Sequence, residues 1–224
     1  ATLAAGAQSS PGALRPATLS VSGQASVTRA PDRATVVFRI ETNADQSAAA
    51  ASANQTIANA MAKRLAALNV PATAITTAGY GLSYTPRPPK PDPASTQRYG
   101  YTVERTIDVA VDGVDGAGAV IDAGVAAGVT NVDGVTFSLR DPGAALRSAQ
   151  AAALADAMAQ ARGLATAAHV RLVRILSIAP GGGTPVVPRV ERFALQAAPT
   201  TIAPGDLTVS ATVGLRYEIA PDAR

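Results

Sequence analysis

A chain of 224 residues and 22.4 kDa is long enough to bury its own core, as one large domain or two small ones. Hydrophobic residues at 47% and charged residues at 16% exclude a wholly disordered chain, and a net charge of +3 from scattered arginines, with no basic run interleaved with aromatics, argues against a nucleic-acid partner. No cysteine and a single histidine exclude disulfides, thiolate chemistry and a multi-histidine metal site, and no apolar run is long enough for a transmembrane helix.

Residues 1–17 lack periodicity, contain Pro11, Gly12 and Pro16, and are expected to form a mobile arm. The small residues from Ala1 to Gln8 resemble a mature N-terminus left by signal-peptide cleavage. Period-two alternation then begins. Leu19, Val21, Ala25 and Val27 form one face of a half-buried strand. After Ala30-Pro31-Asp32, a second strand puts Ala34, Val36, Phe38 and Ile40 on one face, and the two strands are expected to form a hairpin.

Residues 46–68 switch to helical spacing, with Ile57, Met61, Leu65 and Leu68 in one stripe. Asp45 is the expected N-cap, Asn69 the left-handed terminator, and Pro71 forbids continuation. A second strand pair comes next. Tyr80, Leu82 and Tyr84 share a face of 75–86; Tyr99, Tyr101, Val103, Ile107, Val109 and Val111 share a face of 98–112. Five prolines in residues 86–93 interrupt the pair as a protruding loop, and 86–97 is expected to be mobile.

A short helix over 113–127 should end at Gly128, succeeded by a strand with Val132, Val135, Phe137 and Leu139. Residues 143–169 read as a helix of about 40 Å, with a seam of Leu146, Ala149, Ala153, Ala157, Ala161, Leu164 and Ala168. Strands at 172–179 and 206–219 complete the pattern, joined by a Gly/Pro-rich connection over 180–205. The order ββαββαβαββ, with three helices and more hairpins than crossovers, predicts an α+β fold of mainly antiparallel sheet.

The sequence offers little chemistry. His169 stands alone at a helix end, which predicts a capping or solvated imidazole. The glycines of 113–118 lack phosphate-loop spacing. Asp108, Asp112 and Asp115 are explained by surface charge and capping. Catalytic, cofactor and metal residues are therefore expected to be none. The tyrosines Tyr80, Tyr84, Tyr99 and Tyr101 are the candidate ligand or interface face, with packing in the core or an interface favoured over a binding platform.

Several stretches together resemble the SIMPL-domain family, named for a signalling molecule that associates with the mouse pelle-like kinase. They are Val21-Ser22-Gly23-Gln24-Ala25 through Pro31-Asp32 to Val36-Val37-Phe38; the helix with Asn54, Met61 and Leu68; Ile75-Thr76-Thr77 leading to Tyr80 and Leu82; and Tyr101 to Val109. Gly134 to Leu139, the alanine-rich helix and Ala203 to Val209 come after them in order, so that the resemblance covers residues 18–219. One departure is Asn69-Val70, where the family usually has Gly and an aliphatic residue.

The resemblance implies a single domain over 18–219, with two α+β lobes (the second around 75–140) as an alternative, and a tail at 220–224. It implies export to the Gram-negative periplasm and, as in at least some members, self-assembly into a homo-oligomer. It supplies no catalytic residue. The expected function is a non-enzymatic protein supporting envelope or oxidative-stress tolerance. The alternative is a binding module for a small molecule, peptide or envelope component.

Overall fold

The computed structural model describes residues 16–90, 96–181, 189–191 and 204–222. The expected mobile arm falls largely outside the described residues, as do much of the proline-rich loop, much of the 180–205 connection and the last two residues. The chain divides into two compact units. One comprises Ala1–Val27, Leu146–Thr184 and Val209–Arg224; the other comprises Thr28–Ala145 and Pro185–Thr208.

The larger unit is built on β2 (Arg33–Ala44), whose period-two pattern buries Ala34, Val36, Phe38 and Ile40 completely. β2 is flanked by β4 (Gly100–Asp112) and β5 (Asn131–Ser138), and the five-stranded antiparallel sheet runs β3-β4-β2-β5-β7, with β3 at Ile75–Thr85 and β7 at Arg189–Glu191. Strand β7 is an addition to the expected order; it pairs Arg189–Glu191 with Val135–Phe137. The three-residue step from Val132 to Val135 is a bulge: Val37 faces Gly134 and Phe38 faces Val132, so both valines point inward.

Helices α1 (Ser47–Ala67) and α2 (Gly116–Ala127) pack on β2 and β4. α1 starts two residues after Asp45, with Gln46 at the cap position and no side-chain cap bond, so the expected Asp45 cap is not formed. Its end is as expected: Asn69 has φ 60° and its N–H bonds to the Ala66 carbonyl. The inward line of α1 is Ala50, Asn54, Ala58, Met61 and Leu65, while Leu68 is exposed. α2 lies close to the sheet because Gly124 has no side chain: a Cβ there would fall into the Phe38 ring. Fully burying a residue such as Phe38 or Ile40 contributes about 1.5–3 kcal/mol, against ~0–1 kcal/mol for an exposed ion pair. The helix-covered face therefore holds this sheet together; the charged face does not.

The smaller unit carries a three-stranded sheet, β1-β8-β6, from β1 (Thr18–Arg29), β6 (Val170–Pro180) and β8 (Leu207–Pro221). Ile219 N–H bonds to the Ala17 carbonyl and Ser26 meets Ser210, so β1 runs antiparallel to β8. This overturns the expected β1–β2 hairpin. Alternation identifies a half-buried strand but not its neighbour, and Asp32 is drawn elsewhere. Its N–H bonds to Ser138 O, its carbonyl accepts from Gly113 N–H, and its carboxylate accepts from Arg140 N–H.

Helix α3 (Pro142–Ala167) presents Ala149, Ala153, Ala157, Ala161 and Ala165 as a buried ladder at steps of four. Leu164, expected in the seam, is instead half exposed, because the ladder passes through Ala165. Against the ladder lies Gly23 of β1, where a Cβ would land on the Ala153 carbonyl and the Ala157 backbone nitrogen. Bare strand backbone meets helix backbone there, which the alanines permit.

Candidate functional site

β3 is the edge strand of the larger sheet, paired only with β4. Ile75 and Thr77 face Val109 and Ile107; then the register shifts at Ala78, and Tyr80, Leu82 and Tyr84 stand opposite Arg105, Val103 and Tyr101. Directly opposed residues share a face. Val103 is fully buried and Arg105 reaches α1, so the three β3 side chains lie on the helix side of the sheet. Without the bulge the alternation from Ile75 would send them to the other side.

α1 rides over β2 and β4 and leaves β3 uncovered. Tyr80, Leu82 and Tyr84 are therefore 55%, 54% and 58% exposed. Tyr99 and Tyr101 are half-buried. Packing of Tyr80 and Tyr84 in the core is thus overturned: the face is apolar but open. The structure brings two of the tyrosines together and sets an arginine against a third. The Tyr84 and Tyr101 rings lie 4.8 Å apart at 44°, and the Arg87 guanidinium lies 5.9 Å from the Tyr99 ring.

Sequence reasoning missed Arg105. Its guanidinium stacks 5.2 Å from the Tyr80 ring, and its Nη2 donates to Gln55 Oε1 at 2.8 Å, while Gln55 in turn donates to Asn59 Oδ1. Its Nε is buried without a partner, and no carboxylate meets the guanidinium among the described residues. A signal was present: Arg105 is the one charge in the inward phase Tyr101, Val103, Arg105, Ile107, Val109. Asn54, beside it on α1, is fully buried and donates to the Ile40 and Val103 carbonyls at 3.0 and 3.4 Å, docking the helix on two strands.

The opposite face of the sheet is compensated. Arg39 bonds Asp133 at 2.7 Å and lies 3.3 Å from Glu104; Arg33 bonds Asp112 at 2.9 Å. The hydrogen bond to Asp133, and then its charge, raise the Arg39 pKa above the ordinary guanidinium value. Among the described residues, Arg33 and Arg39 are thus paired with carboxylates on this face, whereas Arg105 on the tyrosine face is not.

The other sequence candidates sit apart from these side chains. His169 is exposed in a left-handed turn with φ 52°, its carbonyl accepting from Asp222 N–H. Asp112 takes Arg33 and Arg140, and Asp115 precedes α2 without a side-chain cap bond. A hollow of about 590 Å³, unanticipated from sequence, is lined by Leu68, Val70, Val111 and Val120 with Arg33 and Asp112. Among the described residues, no group of three His, Cys, Asp or Glu could hold a metal ion, and no helix is long and apolar enough to cross a membrane.

This two-unit α+β architecture coincides with a match over residues 19–217 to the family model SIMPL, described as a protein of unknown function (DUF541). The chain belongs to the SIMPL family. Similar proteins include the 26 kDa periplasmic immunogenic proteins of Brucella melitensis and Brucella abortus. Each is 28% identical over 230 residues, covering 97% of this chain and 91% of the relative. The ordered stretches that carry the resemblance fall within the matched SIMPL region, including the Asn54 helix and the β4 segment Tyr101–Val109.

Proposed function

We propose that this SIMPL chain is a non-enzymatic periplasmic protein that self-assembles and supports envelope or oxidative-stress tolerance. The observation that carries assembly is β6. It is an edge strand of its sheet, and Val173, Ile175, Leu176 and Ile178 on it are between 37% and 54% exposed. Apolar patches and open strand edges invite pairing, and another copy of the chain would cover both. The periplasmic relatives support the compartment.

Light scattering coupled to size-exclusion chromatography tests assembly: the expected mass is a multiple of 22.4 kDa, and a monomer at every concentration refutes it. Growth of a deletion strain under peroxide and envelope stress tests the tolerance role; wild-type survival under both overturns it. The second reading, a binding module, is favoured by the open face of Tyr80, Leu82 and Tyr84. A ligand there would cover three large side chains that no helix of the unit covers.

A further inference from the structure

We propose that β3 pairs with β3 of a second copy of the chain, antiparallel across a twofold axis at Leu82. This deepens the assembly reading, rests on it, and gives it an interface besides β6.

Three observations converge. First, β3 is an edge open to pairing. Edges are commonly blunted by charge, proline or a bulge. The eleven residues Ile75–Thr85 hold no charge and no proline. The Ala78 bulge lies near the start of the strand, and from Gly79 to Thr85 the register with β4 is unbroken.

Second, that stretch matches its own reverse. Tyr80, Leu82 and Tyr84 stand on the helix side, each more than half exposed, and Gly79, Gly81, Ser83 and Thr85 alternate with them. An antiparallel strand with Leu82 opposite Leu82 sets Tyr80 against Tyr84, Gly81 against Ser83 and Gly79 against Thr85. Opposed residues share a face, so large side chains meet on the helix side and small ones behind it. The rows already present across β4 and β3 then continue into the second copy. Arg105 and Tyr80 are followed by the second copy's Tyr84 and Tyr101, whose rings already touch within one chain at 4.8 Å. A flanking strand on each side also explains the difference in burial: Tyr101, with β2 and β3 beside it, is half-buried, whereas Tyr84, with β4 alone, is 58% exposed.

Third, this register brings no like charges together. Like charges directly opposite each other destabilise a strand pair. The two copies of Arg105 fall in different rows, at opposite corners of the joint sheet, and Arg87 comes opposite Thr77. A C2 interface requires one patch to complement itself, and the uncharged Tyr-Leu-Tyr stretch does so.

The test uses the full chain, which has no cysteine of its own. Directly opposed residues have Cα atoms about 4.5–5.5 Å apart, inside the ~4.4–6.8 Å that a disulfide spans. Leu82→Cys with oxidised glutathione should therefore give a disulfide-linked dimer. Tyr80→Cys should link to Tyr84→Cys at least about tenfold faster than to itself, because its own counterpart lies four residues along the strand. Leu82→Lys opposes two like charges at the axis. Its mass by light scattering should fall at least about twofold at an unchanged denaturant midpoint, and mixing it with Leu82→Glu should restore the mass. Self-linking of Tyr80→Cys as fast as its linking to Tyr84→Cys overturns the proposal, as does the absence of a Leu82→Cys disulfide. An unchanged mass for Leu82→Lys beside a lowered one for Ile178→Lys overturns the β3 interface and leaves assembly through β6. A monomer at every concentration of the unaltered chain overturns both.

Discussion

At the residue scale, three buried positions set the closest contacts. Ala157 is fully buried in the α3 ladder, and Gly23 lies against the same helix turn. Ala157→Phe is expected to lower stability by about 1–3 kcal/mol through overpacking, read as a lower denaturant midpoint. Gly23→Ala should act in the same direction, because the atoms it meets are backbone and cannot swing away. An unchanged midpoint in both variants would contradict this packing. Asn54 is a different case. Its amide bridges the Ile40 and Val103 carbonyls with no access to water. Asn54→Ala is expected to cost about 1–3 kcal/mol, again measured by chemical denaturation. Asn54 was visible in the sequence as part of the family pattern, but its reason was not: only the docked helix supplies the two carbonyls.

At the scale of elements, the bulge at Ala78 decides which way a whole stripe faces. Deleting Ala78 removes the extra residue and leaves a regular ladder in which Gly79 faces Thr106 and Tyr80 faces Arg105, so Tyr80, Leu82 and Tyr84 should stay on the helix side of the sheet. Cross-relaxation between the Tyr80 ring and the Arg105 side chain should then persist. Its loss would mean that the register is set elsewhere. β6 makes a second prediction. Ile178 is 54% exposed, so Ile178→Lys should change stability by no more than about 0.5 kcal/mol while lowering the assembled mass. A large fall in stability without a change of mass would place Ile178 in an unseen core.

At the scale of the whole molecule, the two units are both interrupted in sequence. Each must gather strands from distant parts of the chain: β1 with β8 in one, β2 with β4 and β5 in the other. Chain order alone therefore misassigned β1, whose neighbour in space lies nearly two hundred residues away. With one imidazole and no thiol, the expected donors are oxygens, which suit hard cations rather than zinc or copper. Elemental analysis of dialysed protein should find no stoichiometric zinc, and finding it would overturn the expectation.

The sequence by itself determined the α+β class, the place of each helix and of every strand but β7, the Asn69 and Gly128 stops, and the identity of the tyrosine face. Those are local signals: a repeat of two or 3.6, a residue tolerant of positive φ, a proline that cannot pair. The tertiary structure alone decided which strands are neighbours, that Tyr80 and Tyr84 are exposed on the helix side of the sheet, and that Arg105 joins them without a carboxylate among the described residues. Pairing and burial depend on what lies across the sheet. A bulge of one residue at Ala78, or a helix riding over β4 but not β3, leaves no mark in the periodicity that distinguishes an exposed apolar stripe from a buried one.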